Sequence, residues 1–450
     1  MVIRLETKHS MLRRCNGWDY RQPCIYQITL VLDDRKSKAL GRLEIPALPS
    51  GAQDRPLSAQ DRPLQVQGRL FQAQNASGSS VPSAEAIGLA LALAASAEIA
   101  LTQAGEAVKR EFWALGEHHP EIKPLFIQVM PDHVHFIIHV TKPMARPLGL
   151  AMAGFKTGSS KAAIGKGGLW AEGFQDTILF HEGQLDSMFA YLRDNPRRLA
   201  VKQLFPDLFR VRNDLILALP RQARDNLGLP PQAQKDRERP LSAQNRPLCS
   251  VLGAGAPIVK AHFSAIGNHF LLESPNLIQV QCSREYLVYR RISKPGGGLK
   301  IARNEKGEPI IEKTTTEFEA KRDELLAAAK HGAVLISPCI SDGEREIARL
   351  AFAAGLPVIA LRNMGFSPLY KPGGKLFDQT ANGRLLLLAP AAWPYQIAEK
   401  RMTRFDACVL NRIAQLVAGD GASEINYHGM KPNDIDRLVC EAVKGGQDGR

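Results

Sequence analysis

The segment PLFIQVMPDHVHFIIHV, residues Pro124–Val140, joins two apolar runs through the dipeptide Pro131-Asp132. Proline has no amide hydrogen for a sheet ladder, and together with aspartate it favours a turn. Leu125–Met130 and His133–Val140 are therefore predicted to be two separate elements on either side of a break. Their length and their content of branched apolar residues are typical of buried strands.

Further elements are predicted before this segment. Ile25–Leu32 is an apolar run typical of a strand, and Arg42–Ile45 is expected to return beside it after a polar turn. Thr102 can cap a helix that follows it. The apolar side of that helix is marked by residues at helical spacing, namely Val108, Phe112 and Leu115.

A second amphipathic helix is predicted after the histidine-containing run. It is expected to stop at Asn195, because Pro196 disfavours helical geometry in the residue before it. Strands interleaved with two helices predict an α+β fold in which helices cover one face of a small sheet. The apolar stripe of the second helix consists of Leu185, Met188, Phe189 and Leu192.

The composition is that of a folded, basic protein. The chain has 450 residues, 44% of them hydrophobic, and a formal net charge of +13, which favours polyanionic partners. The longest apolar stretch, Ala86–Ala97, is shorter than the ~20 residues of a membrane-spanning helix. The seven cysteines are scattered without a CxxC pair, and the amino terminus lacks the pattern of a secretory signal. We therefore expect no membrane association and a cytoplasmic, nucleoid-associated location.

Two low-complexity segments interrupt the chain. The decapeptides RPLSAQDRPL, at Arg55–Leu64, and RPLSAQNRPL, at Arg239–Leu248, are identical at nine of ten positions. Segments of this composition without strand or helix periodicity cannot bury a face, so they are predicted to be linkers or insertions. The predicted organisation is a first domain over residues 1–45 and 82–221, an insertion at 46–81, a linker at 222–256 and a second domain over 257–450.

His133 and His135 are the residues of the first domain best suited to chemistry. Side chains two apart on a strand lie on the same face, so both imidazoles can bind one divalent cation. His139 has the same parity but lies ~13 Å from His135 at the rise of a strand, which is too far for the same ion. An HxH pair alone is more typical of ordinary surface or core histidines than of a metal site.

Tyr191 and Asn195 form a second pair. They are four residues apart on the predicted helix and therefore neighbours on its surface, beside the apolar stripe. If the helix packs on the sheet, the Tyr191 hydroxyl would point outward and Asn195 could supply a metal ligand. The alternative is purely structural: a tyrosine at the edge of the core and an asparagine at a helix end.

Together these motifs resemble a known family. Pro124–Val140, followed by FKTGSSKAA, LWAEGFQDTIL and AYLRDNPRR, resembles the HUH single-tyrosine transposases of bacterial insertion sequences and their REP-associated relatives. The resemblance covers about residues 25–204 apart from the insertion. It rests on histidines after Met-Pro-Asp, on Trp170, on the turn at Gly173–Asp176 and on Tyr-x-x-x-Asn-Pro.

The resemblance implies a ferredoxin-like sheet with helices on one face and a metal-assisted site. Mg²⁺ or Mn²⁺ would be bound by His133, His135 and Asn195, with Tyr191 as the nucleophile. A cation suits this chemistry because it neutralises and polarises the phosphodiester that the phenol attacks. The resemblance further implies single-stranded DNA with hairpins as the substrate, a 5′-phosphotyrosine intermediate and a homodimer.

The distribution of charge supports a DNA substrate. Thr141–Arg224 carries thirteen Lys and Arg and seven Asp and Glu, so about half of the basic surplus lies there. Aromatic residues are few, so binding is expected to depend on backbone charge and hairpin shape more than on base stacking. The candidate DNA contacts are Lys156, Lys161, Arg193, Arg197 and Arg198. For the two lysines, solvated positions on a helix are an equally good explanation.

The second domain is predicted to contain a β-loop-α-β unit. Ala333–Ser337 and Leu356–Leu361 have the composition of buried strands and flank a helix over Glu344–Ala354, which implies a parallel sheet. Ser341 and Glu344 form a capping box, and the exposed amides and the helix dipole would favour an anion. The candidate ligand residues are Ser337, Ser341, Gly343 and Glu344. The alternative is a capped helix without a ligand.

Residues from about Gly332 to Pro390 resemble the Rossmann-like core of DprA-type DNA-processing proteins. The likeness lies in the segments GFSP, YKPGGK and GRLLLLAP, which begin at Gly365, Tyr370 and Gly383. The glycine-rich signature expected at residues 337–343 is absent. The resemblance implies an α/β domain that binds DNA or a nucleotide, or that gives structural support.

Three functions are compatible with these residues. The first is a metal-dependent transposase or nickase-ligase for single-stranded DNA, with Tyr191 as the nucleophile. The second is a DNA-binding regulator that has kept the fold and lost turnover. The third is a metallohydrolase that uses His133 and His135 to activate water, with Tyr191 in a structural role.

Overall fold

The chain consists of two compact units, Met1–Leu204 and Phe205–Arg450. The computed structural model describes residues 18–46, 84–166, 168–180, 183–220, 258–293, 298–305, 307–396, 401–419 and 431–444. Apart from residue 46, the predicted insertion and linker lie outside the described residues. Both units combine helices with sheets, so the α+β class predicted from the sequence is confirmed.

The first unit is built on an antiparallel sheet with the strand order β4-β5-β1-β6. A separate two-stranded ribbon is formed by β2 and β3. The elements are β1 (Cys24–Val31), β2 (Gly41–Glu44), α1 (Ala84–Ala95), β3 (Glu98–Leu101), α2 (Gln103–Trp113), α3 (Leu115–His118), β4 (Ile122–Met130), β5 (His133–Val140), α4 (Leu148–Ile164), β6 (Gln175–Leu179), α5 (Gln184–Arg193) and α6 (Asn195–Leu204).

The prediction that Arg42–Ile45 returns beside the first strand was wrong. Strand β2 pairs with β3, in a register that places Gly41 opposite Leu101. The physical reason is that β5 and β6 occupy both sides of β1, so no free edge of β1 remains for β2.

The two faces of the main sheet differ in character. Phe136 of β5 contacts Phe112 of α2 and Phe155 of α4, so these helices cover one face and bury an apolar core. Thr102 caps α2 as predicted, because its side chain accepts a hydrogen bond from the amide of Gly105. Since neighbouring residues of a strand point to opposite sides, His135 lies on the other face. We call this second face the histidine face.

The helix predicted to stop at Asn195 ends earlier, and another begins there. Helix α5 ends at Arg193, and α6 starts at Asn195. Pro196 lies in the first turn of α6, where an amide hydrogen has no intrahelical acceptor, so proline costs nothing and its fixed backbone angle suits the helix. Proline here separates two consecutive helices.

The second unit contains a mixed sheet with the order β7-β8-β16-β15-β14-β9. The second unit also contains two short two-stranded ribbons. One is formed by β10 and β13, and the other by β11 and β12. Its strands and α-helices are β7 (Arg212–Pro220), β8 (Ile258–Gly267), β9 (Leu277–Gln279), β10 (Leu287–Tyr289), β11 (Arg291–Ser293), β12 (Leu299–Ile301), β13 (Ile311–Thr314), α7 (Thr316–Lys330), β14 (Val334–Ser337), α8 (Asp342–Ala353), β15 (Val358–Leu361), α9 (Gly374–Ala381), β16 (Leu385–Pro390), α10 (Arg404–Ala418) and α11 (Pro432–Ala442).

The predicted β-loop-α-β unit is present as β14, α8 and β15. Strand β14 is parallel to β15 and to β9, and β15 is parallel to β16. Strands β8 and β7 continue the sheet in antiparallel fashion. Because β7 pairs with β8, the chain divides after Leu204 and not at residue 221, where the sequence placed the end of the first domain.

The apolar helix α1 does not have the dimensions of a membrane span. No helix in the described ranges is both long and apolar enough to cross a bilayer.

Candidate active site

His133 and His135 lie side by side at the start of β5. Their Nε2 atoms are 3.1 Å apart, and the two rings meet edge to face. The antiparallel ladder fixes this arrangement, because it places Val31 opposite His133 and Thr29 opposite His135. The structure therefore directs one nitrogen of each imidazole to a common point.

The second ring nitrogen of His133 is held by a carboxylate. Nδ1 lies 2.6 Å from Oδ1 of Asp132, and the Nε of Arg35 donates to the other oxygen at 2.7 Å. Burial raises the pKa of Asp132, but the hydrogen bond with His133 and the charges of His133 and Arg35 together hold it well below its usual range. Asp132 is thus an anion at neutral pH and accepts the Nδ1 hydrogen of His133.

The second ring nitrogen of His135 meets a hydroxyl group. Nδ1 lies 2.8 Å from Oγ1 of Thr29 and 3.4 Å from Nε2 of Gln27. Gln27 also donates to Thr29 Oγ1 at 2.9 Å. Burial, followed by the proximity of His133, lowers the pKa of His135 to about 3. His135 is therefore neutral at neutral pH, the state in which imidazole binds a metal ion.

The histidine pair has the donor arrangement of two metal ligands. Two Nε2 atoms converge, and each Nδ1 is held by a partner that fixes the orientation of its ring, as is usual for metal-binding histidines. Within the described ranges no group of three or more His, Cys, Asp and Glu side chains is placed to hold a metal ion. From the described residues, a third ligand at this pair would therefore be of another type, such as an amide oxygen.

Helix α5 packs on the histidine face. Phe126 of β4 lies opposite Ile137 of β5, two residues beyond His135, so its side chain shares the face of the histidines. The ring of Phe126 contacts Phe189 of α5, with 5.6 Å between centroids. The helix that carries Tyr191 is thereby fixed to the same side of the sheet as the imidazoles.

Tyr191 itself points away from this contact. Two residues along a helix correspond to a rotation of about 200°, so Tyr191 lies on the side opposite Phe189. Its side chain is 45% exposed, and the Arg198 guanidinium lies 5.1 Å from the ring centroid. No hydrogen bond in the described part of the chain joins Tyr191 to His133 or His135. The structure thus gives Tyr191 access to solvent without placing it against the histidine pair.

Asn195 is the first residue of α6, and one atom of its side-chain amide lacks a partner. Its Nδ2 atom is buried and has no hydrogen bond among the described residues. A buried polar atom without a partner costs ~1–3 kcal/mol, so such an atom points to a missing partner. Rotation of the amide by half a turn would put Oδ1 there, which is the atom that binds a cation. Asn195 makes no hydrogen bond to the histidines among the described residues.

The two candidate lysines on α4 differ in their hydrogen bonds and in their exposure to solvent. Lys156 donates from Nζ to the carbonyl oxygens of Ala171 and Gly173, at 2.6 and 3.3 Å, and burial lowers its pKa. It therefore ties α4 to the loop that precedes β6. Lys161 is exposed in the last turn of α4. Of the two, Lys161 is the better placed to meet a phosphate.

The three candidate arginines lie on α5 and α6. Arg193 lies over the rings of Phe126 and Phe189, at 5.5 and 5.6 Å from their centroids. Arg197 and Arg198 both bind the carboxylate of Asp194. Burial raises the pKa of Asp194, but its hydrogen bonds to both arginines lower it below its ordinary value. Arg197 and Arg198 thus share a single anion, and Arg198 also lies over the ring of Tyr191.

Sequence reasoning missed four side chains of this site. These are Gln27, Thr29, Arg35 and Asp132, which hold the two imidazoles. A signal for two of them is present in the sequence, because Gln27 and Thr29 are polar residues at alternate positions of an otherwise apolar strand, and both are more than nine-tenths buried. Their partner could not be named without the strand register.

In the candidate ligand loop of the second unit, backbone amides already donate hydrogen bonds to side-chain oxygen atoms of the same loop. Ser341 accepts from the amide of Glu344, as a helix cap should, and Glu344 Oε2 accepts from the amide of Ile340 at 2.7 Å. The amide of Cys339 donates to Ser337 Oγ. Burial raises the pKa of Glu344. A bound anion would compete with the Glu344 side chain for these amides.

Gly343 is the remaining loop candidate, and it has a packing role. A Cβ at Gly343 would overlap Sγ of Cys282 and lie 3.2 Å from the ring of Phe318. We expect Gly343→Ala to lower the free energy of unfolding of the second unit by about 1–3 kcal/mol, the usual cost of overpacking. Gly373→Ala is the control, because a Cβ there meets no atom within 4 Å. Thermal unfolding gives the melting temperature of each variant. A melting temperature of Gly343→Ala equal to that of Gly373→Ala would contradict the packing role.

Comparison with known proteins gives one weak similarity. No protein-family model matches the sequence, and no curated protein matches it. The similarity is to a solved structure described as "Structure of the REP associates tyrosine transposase bound to a REP hairpin". The matched region covers 41% of this chain and 73% of that chain, with 12% sequence identity and a TM-score of 0.23. Similarity at this level does not establish a shared fold or function, so the functional argument rests on the site.

Proposed function

We propose that the first unit is a metal-dependent transesterase for single-stranded DNA, a transposase or nickase-ligase with Tyr191 as its nucleophile. The observation that carries the proposal is the convergence of the Nε2 atoms of His133 and His135, 3.1 Å apart, on the face where α5 packs. A pair of imidazoles and an exposed tyrosine beside basic side chains suit attack on a phosphodiester.

The proposed cation is Mg²⁺ or Mn²⁺, held by His133, His135 and Asn195. When bound, the cation would neutralise and polarise the scissile phosphodiester. Asp132 orients His133 through Nδ1, which leaves Nε2 for a ligand role. The Nδ2 position of Asn195, which is buried and unpartnered, would hold Oδ1 after rotation of the amide, and this supports its place in the ligand set.

Tyr191 carries the covalent step of the proposal. Its hydroxyl oxygen would form a bond to phosphorus while the bond from phosphorus to the 3′ oxygen breaks, giving a 5′-phosphotyrosine and a free 3′ hydroxyl. One ester replaces another, so rejoining needs no ATP. Arg198, which lies over the ring, would stabilise the negative charge that develops on the phenol oxygen.

The proposed substrate is single-stranded DNA that contains hairpins. The arginines on α5 and α6 and the exposed Lys161 supply cations for its backbone, and a homodimer associated with the nucleoid is expected. The finer fold assignment belongs to the same proposal. It takes the first unit as a ferredoxin-like transposase domain and the second as a Rossmann-like, DprA-type domain that binds DNA or a nucleotide.

One observation favours a second function, a metallohydrolase. No hydrogen bond among the described residues connects Tyr191 with the histidines, so the pair could activate water while Tyr191 stays structural. A hydrolase would cut DNA without becoming attached to it.

A covalent trapping experiment separates these functions. The full-length protein is incubated with labelled single-stranded DNA that forms an imperfect hairpin, with Mn²⁺ or with EDTA, and run on a denaturing gel. We expect a protein-DNA adduct that requires Mn²⁺. Cleavage without an adduct would favour the hydrolase, and binding with neither product would favour the non-catalytic regulator.

A further inference from the structure

We propose that a small cavity beside α4 binds the Watson–Crick edge of an unpaired guanine in the DNA substrate. The inference rests on the proposed function for the DNA substrate, and it is independent of the metal ion and of Tyr191. It follows from the hydrogen-bonding groups of the side chains that line the cavity.

The cavity lies between α4 and the loop that precedes β6. Its volume is about 170 Å³, and it is lined by Lys156, Thr157, Ser160, Gly168 and Trp170. A cavity of ~150 Å³ holds one benzene ring, so this one has room for one six-membered ring. Thr157 and Gly168 are exposed, whereas Ser160 and Trp170 are buried. A flat ring can therefore enter edge first from the exposed side while the rest of its nucleotide stays outside.

The polar side chains on α4 offer the cavity one donor and two acceptors. Lys156 Nζ donates to the carbonyl oxygens of Ala171 and Gly173, so one of its three hydrogens remains. The Ser160 hydroxyl donates to the carbonyl of Lys156 at 2.6 Å. The Thr157 hydroxyl likewise donates to the backbone carbonyl one turn earlier, at 3.0 Å. Both hydroxyl oxygens keep lone pairs that accept from no donor among the described residues.

This set of groups does not suit a phosphate. A phosphate diester carries only acceptors, so its oxygens would meet one donor and the lone pairs of two hydroxyl oxygens, which repel them. The indole N–H of Trp170 adds no donor, because it is bonded to Ser159 Oγ at 3.0 Å. The cavity therefore suits a group that accepts one hydrogen bond and donates two.

Guanine has this pattern among the nucleobases. Its Watson–Crick edge presents the O6 acceptor beside the N1 and N2 donors. The edges of cytosine and thymine each present two acceptors and one donor, and the edge of adenine presents one of each. In the proposed complex Lys156 donates to O6, and Ser160 and Thr157 accept from N1 and N2. Unpaired bases suit such a cavity, because their Watson–Crick edges are free for a protein to read.

The cavity lies at the end of the sheet that carries the histidine pair. Trp170 forms a β-bridge with Leu32, and Leu32 follows Val31, the residue opposite His133. Helix α4 covers the face opposite the histidine face, so a DNA strand has to pass round this end of the sheet to reach both sites. The guanine is therefore expected in the single-stranded part of the substrate, on the strand that is cleaved.

The first test measures the affinity of the full-length protein for labelled, single-stranded oligothymidines by fluorescence anisotropy in EDTA. We expect one guanine in the oligonucleotide to give about 10- to 100-fold tighter binding than one adenine, the discrimination typical of a well-matched base contact. Hypoxanthine lacks the N2 amino group and should give an intermediate affinity. The base 7-deazaguanine keeps the Watson–Crick edge and should bind like guanine. Equal affinities for guanine and adenine, or a loss of affinity with 7-deazaguanine, would overturn the proposal.

The second test removes one acceptor of the cavity. Thr157→Val keeps the shape of an exposed side chain, and we expect it to weaken binding of the guanine oligonucleotide about 3- to 10-fold and to leave binding of the adenine oligonucleotide unchanged. Ser187→Ala is the matched control, because Ser187 is also exposed and its hydroxyl also donates to the carbonyl one turn earlier. A guanine preference that is unchanged in Thr157→Val would contradict the role of the cavity.

A competition experiment distinguishes DNA from a free nucleotide as the source of the guanine. GMP should displace the guanine oligonucleotide only at a concentration at least ~100-fold above that of unlabelled oligonucleotide, because contacts to the backbone add to the affinity for DNA. Displacement by GMP at an equal concentration would overturn the assignment to DNA. Since these assays contain EDTA, a guanine preference without any covalent adduct would contradict the proposed function alone. An adduct without a guanine preference would contradict the role of the cavity alone.

Discussion

Tyr191→Phe is expected to abolish the covalent adduct and to lower DNA strand cleavage at least ~1,000-fold, because it removes the attacking oxygen. The substitution keeps the ring, and with it the contact to Arg198. The side chain is 45% exposed, so the fold should not change. We expect hairpin binding, measured by fluorescence anisotropy, to stay close to that of the wild type.

The chain offers a matched control for this substitution. Tyr395 of the second unit is also 45% exposed, and Tyr395→Phe should leave adduct formation unchanged. An adduct formed by Tyr191→Phe in wild-type yield would contradict the assignment of the nucleophile. Loss of DNA binding in Tyr191→Phe would instead show that the hydroxyl contributes to recognition.

His133→Ala is expected to weaken Mn²⁺ binding at least ~100-fold and to reduce metal-dependent cleavage to a similar degree. The substitution removes one of two converging nitrogen ligands and leaves Asp132 beside Arg35 alone. His135→Ala should have the same functional effect. Because His135 contacts the buried side chains of Thr29 and Gln27, its replacement should also destabilise the protein, so His133→Ala is the cleaner variant. Calorimetry and the cleavage assay measure the two effects.

His139→Ala is the control for the histidine substitutions. His139 lies on the same strand and, by alternation, on the same face, but four residues beyond His135. Its replacement should leave Mn²⁺ affinity unchanged. Equal losses of affinity in His133→Ala and His139→Ala would show that the pair has no special role.

Local features of the fold were predictable because neighbouring residues determine them. The cap at Thr102 follows from one hydroxyl and the amides of the next turn, and the unit β14-α8-β15 follows from apolar runs on either side of a capped helix. The shared face of His133 and His135 follows from strand alternation, which needs no partner strand. In each case the chemistry lies within a short segment.

The errors arose where distant segments decide the structure. Arg42–Ile45 could not be paired correctly, because β3 lies beyond a long insertion and the edges of β1 are filled by strands that follow much later. The boundary at residue 221 failed because β7 pairs with β8 on the far side of the linker. The role of Thr29 likewise depends on its register with β5. Pairing of this kind is not encoded in local periodicity.

The most direct test of the proposed chemistry is to locate the residue that becomes attached to DNA. The adduct formed with hairpin DNA and Mn²⁺ is digested with protease and nuclease, and the linked peptide is sequenced by mass spectrometry. The proposed mechanism predicts a nucleotide joined through its 5′ phosphate to Tyr191. Attachment at another residue, or cleavage products with no linked peptide, would contradict it.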